Sequence, residues 1–200
     1  SPDDLEARGY STTIVPDMEN LIKSEHDGKK LVKYGDQQLA ATLTALHNPA
    51  SAIAESFRQL RTNLQLSLSD EGSKTIVVTS PGVGEGKTTT SANLAVSFAR
   101  GGSKTLLIDA DMRRPQVHRY LGLALEPGLF QVLSEGIQDW DPSAVETHVE
   151  NLSALTAGAV SGERAGELIA SPRMRDLLAA LKEHYDVIII DTPPTLAVTE

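Results

Sequence analysis

The residues best suited to do chemistry lie in Thr79-Ser80-Pro81-Gly82-Val83-Gly84-Glu85-Gly86-Lys87-Thr88-Thr89. A polyphosphate needs several backbone N–H groups converging on it, and a glycine-rich loop opening a helix supplies them at close range. Gly84 and Gly86 permit that approach, Lys87 reaches the terminal phosphates, and the Thr88 hydroxyl suits magnesium. Gly82, Val83, Gly84, Glu85, Gly86, Lys87, Thr88 and Thr89 are the expected nucleotide contacts. The pattern Gly-x-x-x-x-Gly-Lys-[Ser/Thr] is met at Gly86, Lys87 and Thr88, with Pro81 where its first glycine falls, so the loop is a variant P-loop. The bland alternative is a glycine turn before an amphipathic helix.

Two acidic sites accompany the loop. Asp191 closes the run VIIID and is followed by Thr192-Pro193-Pro194, and Asp109-Ala110-Asp111 closes TLLID in the same way. Open α/β sheets place ligands beyond the carboxyl ends of their strands. A strand-terminal aspartate can equally cap the next element. Together with the loop, the three carboxylates point to a magnesium–nucleotide site and phosphoryl transfer, in which the protein supplies positioning and electrostatics. Lys87 neutralises phosphate charge; Thr88 and Asp191, joined by the Asp109–Asp111 pair, are the expected magnesium ligands; Asp109 or Asp111 orients or deprotonates an acceptor hydroxyl.

These groups need a frame, and the flanking pattern supplies it. Thr75–Ser80, Thr105–Asp109 and Val187–Asp191 are β-branched or aliphatic runs suited to buried parallel strands, and Leu152–Thr156 is a weaker one. Helices are predicted over Thr88–Arg100, ended by Gly101-Gly102, and around Leu129–Glu135, Pro142–Val149 and Met174–His184. Strands alternating with helices imply an α/β fold with a mostly parallel sheet between helical layers. Upstream, Ile53, Phe57, Leu60 and Leu64 recur on one helical face, with Glu55, Arg58 and Arg61 elsewhere on that helix. Before that, Ser1–Gly9 suits a short helix and Thr12–Pro16 a short strand, and the charged stretch Asp17–Asp36 reads as a linker.

Composition narrows the function classes. The 200 residues carry 18 Lys plus Arg against 27 Asp plus Glu, a formal charge of −9, which argues against a general nucleic-acid surface. Zero cysteines exclude disulfides, thiolate nucleophiles and iron–sulfur clusters. With 40% hydrophobic and 4% aromatic residues the core must be aliphatic. No stretch approaches the roughly 20 apolar residues that span a bilayer. There is no signal peptide, and a first residue of Ser1 suggests a piece of a longer chain.

Several segments together resemble the bacterial tyrosine kinases (BY-kinases) of capsule and exopolysaccharide systems: Asn48-Pro49 with Glu55-x-x-Arg58-x-x-Arg61, Ser80–Ala95, Leu106–His118 and Tyr185–Thr199. Ser1–Pro16 is similar to the segment that follows the family's second transmembrane helix. The resemblance implies a three-layer α/β/α P-loop NTPase fold with its C-terminal part missing, divided into a juxtamembrane segment and linker (1–47) and a kinase domain (48–200). It implies ATP and Mg2+ as cofactors, with Lys87 and Thr88 as Walker A, Asp109 and Asp111 as Walker A′, and Asp191 as Walker B. Glu55, Arg58 and Arg61 then become a subunit contact in a ring-shaped homo-oligomer, and Arg113 and Arg114 a phosphate or partner contact. The implied partners are the upstream transmembrane co-polymerase region, the tyrosine-rich tail of a neighbouring subunit and a phosphotyrosine phosphatase. The implied location is the cytoplasmic face of the bacterial inner membrane.

Three departures stand beside the resemblance. Ser161–Ile169 lacks the family's Pro-rich segment before Glu-Leu-Leu, the chain ends nine residues past Asp191, and the C-terminal tyrosine cluster is absent. The competing reading is a positioning or partition ATPase of the MinD/ParA kind. Those proteins carry a signature lysine five residues before the P-loop lysine, where this chain has Gly82.

Overall fold

The runs TLLID (Thr105–Asp109) and VIIID (Val187–Asp191) are buried at all five positions, as strands covered on both faces must be. They form the centre of the computed structural model, which describes residues 13–15, 18, 29–68, 72–135, 146–159 and 165–195. In chain order the elements are β1 (Leu31–Tyr34), β2 (Gln37–Ala40), α1 (Thr44–His47), α2 (Ala52–Ser67), β3 (Lys74–Val78), α3 (Lys87–Arg100) and β4 (Thr105–Asp109). They continue with α4 (Val117–Leu121), α5 (Leu129–Glu135), β5 (Leu152–Leu155), α6 (Ala165–Ile169), α7 (Pro172–Leu181) and β6 (Val187–Asp191).

The four strands β3-β6-β4-β5 pair in that order, all parallel. Parallel register brings strand ends to one edge, and here Val78 and Asp109 both stand opposite Asp191. That register assembles the site before any side chain is considered.

Alternation along the central strands feeds two cores. Leu107 and Ile189 face α3, the β1–β2 hairpin and α1, whereas Leu106, Ile108, Ile188 and Ile190 face α5 and α7. The result is an α/β/α sandwich, as the motif order implies. Caps fix the helices that matter: Ser51 Oγ accepts from Ala54 N–H at the start of α2, and Ser171 Oγ from Met174 N–H at the start of α7.

The N-terminal part departs from expectation. Leu31–Asp36, read as linker, belong to an antiparallel hairpin whose β2 buries Leu39 and Ala40 in the same core as α3. Leu39, Leu43 and Leu46 are removed from water, a gain of about 1.5–3 kcal/mol per such side chain. Asn93 of α3 ties this unit down: its Nδ2 donates to the carbonyls of Thr42 (2.8 Å) and Thr89 (2.9 Å), and its Oδ1 accepts from Ala45 N–H (3.0 Å) and the Thr44 hydroxyl (3.3 Å). The 47/48 boundary accordingly falls between two helices, α1 and α2, that pack together.

Other differences are smaller. Thr13–Val15 are irregular rather than a strand. Of the helix expected over Pro142–Val149, residues 146–149 are non-helical, and Glu146 makes an isolated antiparallel bridge to Ser153. α7 starts two residues earlier than expected and stops at Leu181, because Ser171 caps it and Pro172 fits its first turn. The helix expected at Ser1–Gly9 and the segment Ser161–Arg164 lie outside the described residues. Among the described residues no helix is long and apolar enough to cross a membrane.

Candidate functional site

The loop between β3 and α3 takes its shape from two glycines. Gly84 (φ +82°) and Gly86 (φ +80°) are left-handed, a conformation that glycine adopts without steric cost. Ser80 Oγ donates to the Gly82 carbonyl at 2.8 Å, closing the turn. Gly86 caps α3 and its carbonyl accepts the Thr90 N–H at 2.8 Å. The N–H groups ahead of that bond have no acceptor inside the helix, and the dipole of a 14-residue helix adds to them, giving an anion seat.

At the floor of this seat lies a chain of charged groups. Asp191 is fully buried; its Oδ2 accepts from Thr88 Oγ1 at 2.6 Å and its Oδ1 from Ser91 Oγ at 3.1 Å. Lys87 Nζ sits 3.9 Å from Asp191 Oδ1 and 3.6 Å from Asp111 Oδ2, with the lysine side chain 9% exposed. Burial pushes the Asp191 carboxyl above the usual range, and the Thr88 bond, the Lys87 charge and the Ser91 bond pull it back.

Asp109 behaves differently from its neighbour Asp111. Its Oδ2 accepts the backbone N–H groups of Gln116 and Val117, both at 3.0 Å, and its Oδ1 that of Asp111 at 3.2 Å. Both oxygens therefore hold the turn that leads into α4. Burial raises its carboxyl from 3.8 to about 7; the Val117 and Gln116 bonds oppose this, while the Asp191 and Asp111 charges add to it. Asp111 instead lines the open cavity above the loop, and its Oδ1 accepts the Arg114 N–H at 3.1 Å. Of the three carboxylates, Asp111 is the one that lines the cavity.

That cavity has a volume of about 660 Å³. Val83, Gly84, Gly86, Lys87, Thr88 and Thr89 line it, whereas Gly82 and Glu85 do not. Arg113 and Arg114 are exposed at its rim, and Pro193 and Pro194 form part of its wall. Two residues escaped the sequence reading. Tyr120 lines the cavity and its hydroxyl lies 2.6 Å from Thr89 Oγ1; nothing in its local pattern marks it. Ser91 stands four residues after Lys87, on the same helical face, and that spacing was the available signal.

The arrangement fits magnesium and a nucleotide. Among the described residues no cluster of three or more His, Cys, Asp or Glu could hold a metal unaided. Thr88 Oγ1 and Asp191 Oδ2, 2.6 Å apart beside Lys87 and the cavity, offer one hydroxyl and one carboxylate. Magnesium takes its remaining ligands from phosphates and water, so a short oxygen set next to an anion seat suits it.

The Glu55-x-x-Arg58-x-x-Arg61 motif divides. Glu55 and Arg58 form an exposed pair within α2, and Arg58 Nη1 also donates to the Pro49 carbonyl at 2.6 Å. Arg61 turns inward: its Nη1 donates to the Ser97 carbonyl at 2.6 Å, near the end of α3, where a cation suits the helix terminus. Gly101 makes room for it, since a Cβ there would lie 2.5 Å from that guanidinium nitrogen. Arg61, expected at a subunit contact, thus joins α2 to α3 within the chain.

A glycine loop feeding a helix, Lys-Thr at its start and an aspartate ending the adjacent parallel strand define a P-loop nucleotide-binding protein. Residues 73–200 match the family described as AAA domain. Tyrosine-protein kinase YwqD of Bacillus subtilis (strain 168) is 38% identical over 170 residues, covering 85% of this chain and 71% of YwqD. The kinase domain of Escherichia coli tyrosine kinase ETK superposes with a TM-score of 0.82 at 31% identity, covering all of this chain and 75% of that one. This chain therefore belongs to the bacterial tyrosine-protein kinases of the P-loop class. EpsB of Ralstonia nicotianae is 36% identical over 191 residues, 96% of this chain but 24% of EpsB, so the chain spans about a quarter of that relative. The septum site-determining protein MinD of Pyrococcus horikoshii, solved with Mg-ADP, is a more distant neighbour, with a TM-score of 0.51 over 62% of this chain.

Proposed function

We propose that the chain is the nucleotide-binding part of a protein-tyrosine autokinase that transfers the γ-phosphoryl group of ATP to tyrosine in an exopolysaccharide or capsule system. The observation that carries this reading is Lys87 lying between Asp111 and Asp191, with Thr88 bonded to Asp191, at the floor of an open cavity. Lys87 and the loop N–H groups hold the phosphates. Thr88 and Asp191 would hold magnesium, which would supply neutralisation of phosphate charge. Asp111 orients the acceptor tyrosine and takes its proton as the new P–O bond forms, the β-phosphate oxygen leaving with the electron pair. Asp109 keeps the turn after β4 in place so that Asp111 stays aimed at the cavity.

Arg113 and Arg114 at the rim suit the phosphate or an acidic partner. Glu55 and Arg58 remain the candidate subunit contact. The test is phosphotyrosine formation on a tyrosine-containing peptide with Mg-ATP; transfer by the chain but not by Lys87→Met supports the reading, and equal signal in both sinks it. A MinD-like switch would instead release phosphate without phosphotyrosine.

A further inference from the structure

Ser91 is fully buried in the second turn of α3, and no nucleotide-loop motif includes it. Its hydroxyl has two acceptors within reach, the Lys87 carbonyl at 3.0 Å and Asp191 Oδ1 at 3.1 Å, and only one proton to give. The carbonyl already accepts within the helical ladder, whereas Asp191 Oδ1 belongs to a fully buried carboxyl group whose oxygens need partners inside the fold, so the bond to Asp191 is the one that satisfies an otherwise poorly served acceptor.

We propose that Ser91 is a positioning residue that holds Asp191 by Oδ1 and so keeps Oδ2 turned toward Thr88, where magnesium is taken up with the nucleotide. A carboxylate can rotate about its last bond, and here the two oxygens have distinct partners: Ser91 below, Thr88 on the cavity side. Without the lower bond, the partner left to Oδ1 among the described residues is Lys87 at 3.9 Å, and Lys87 is the group that must swing toward phosphates. The fixed carboxylate then loses its anchor at the moment when the metal site has to form. Groups that orient a metal-binding carboxylate from behind typically alter metal affinity by about 10- to 100-fold.

This inference rests on the magnesium–nucleotide reading above. The test is binding of a fluorescent ADP analogue to the full chain in excess Mg2+ and in EDTA, for wild type, Ser91→Ala and Ser91→Thr, with thermal unfolding as a check on folding. Alanine favours the helix, so Ser91→Ala is expected to fold. The expected result is that Ser91→Ala loses about tenfold of the Mg2+-dependent gain in affinity while its affinity in EDTA matches wild type. Ser91→Thr, which restores the hydroxyl, keeps the gain. An unchanged gain in Ser91→Ala overturns the proposal, and so does an equal loss with and without Mg2+, the mark of a packing defect. Wild type lacking any Mg2+-dependent binding overturns the nucleotide reading itself, and this inference with it.

Discussion

Lys87 Nζ lies 3.6 Å from Asp111 Oδ2 and 3.9 Å from Asp191 Oδ1, so one ammonium neutralises part of two carboxylates carried by different strand ends. Lysine and both aspartates are nearly or fully removed from water. Such a group holds the site together without nucleotide and is also the cation that phosphates would recruit.

Lys87→Met is therefore expected to abolish phosphotransfer and also to destabilise the chain, because it leaves two buried carboxylates without their counter-ion. Losing one partner of a buried pair costs about 3 kcal/mol. Urea unfolding alongside a phosphotyrosine assay reads both effects. Unchanged stability would show that the ion pairs contribute little in solution.

Asp109 and Asp111 are expected to separate on mutation. Asp111→Asn should lower phosphotransfer by about 10²- to 10⁴-fold, since it removes a proton acceptor at the cavity, and should cost less stability than Lys87→Met because Lys87 keeps Asp191 as its counter-ion. Asp109→Ala should instead cost about 2–3 kcal/mol of stability, because the N–H groups of Gln116 and Val117 lose their acceptor. Equal effects of the two variants on activity at matched stability would return Asp109 to the catalytic group.

Stability should fall as pH rises through the window set by Asp109. Its carboxyl titrates at 3.8 ordinarily and at about 7 in the fold. Between those values the folded state keeps a proton that the unfolded chain has released, so the unfolding free energy declines with pH, and the decline is complete above about 7. Asp191 is raised in the same direction and adds to the trend. Asp109→Asn, which does not titrate, is expected to lose less stability than wild type between pH 5 and pH 8, by at least about 1.4 kcal/mol, the equivalent of one pH unit. Parallel pH profiles for the two would refute the shifted carboxyl.

The two arginines of α2 should part company. Arg61→Ala is expected to lower stability by about 1.5–3 kcal/mol through loss of a charged bond to the Ser97 carbonyl. Arg58→Ala, on the exposed face, should leave stability nearly unchanged and reduce the mass of the assembly in light scattering. If the mass does not change, Glu55 and Arg58 are an ordinary solvated helix pair.

What the sequence by itself determined was the chemistry and its frame. The Gly-x-Gly-Lys-Thr loop calls for a strand before it and a helix after it, and TLLID and VIIID are short aliphatic runs of strand length that suit covered parallel strands, so the fold class and the edge that carries Lys87, Thr88 and the aspartates were legible locally. Only tertiary structure decided the division of labour among those residues. Asp109 and Asp111 are two positions apart and alike in sequence, yet the turn after β4 directs one into backbone N–H groups and the other into the cavity. The β1–β2 hairpin read as linker because four-residue strands carry too short a pattern; its order comes from Asn93 and the α3 core, contacts some fifty residues away along the chain. Arg61, which the resemblance puts at a subunit contact, likewise finds its partner only in the packed fold, where the end of α3 offers it a carbonyl and Gly101 leaves space. Local pattern specifies which elements form, whereas the partner of a long polar side chain is set by what the packed fold brings within hydrogen-bond reach.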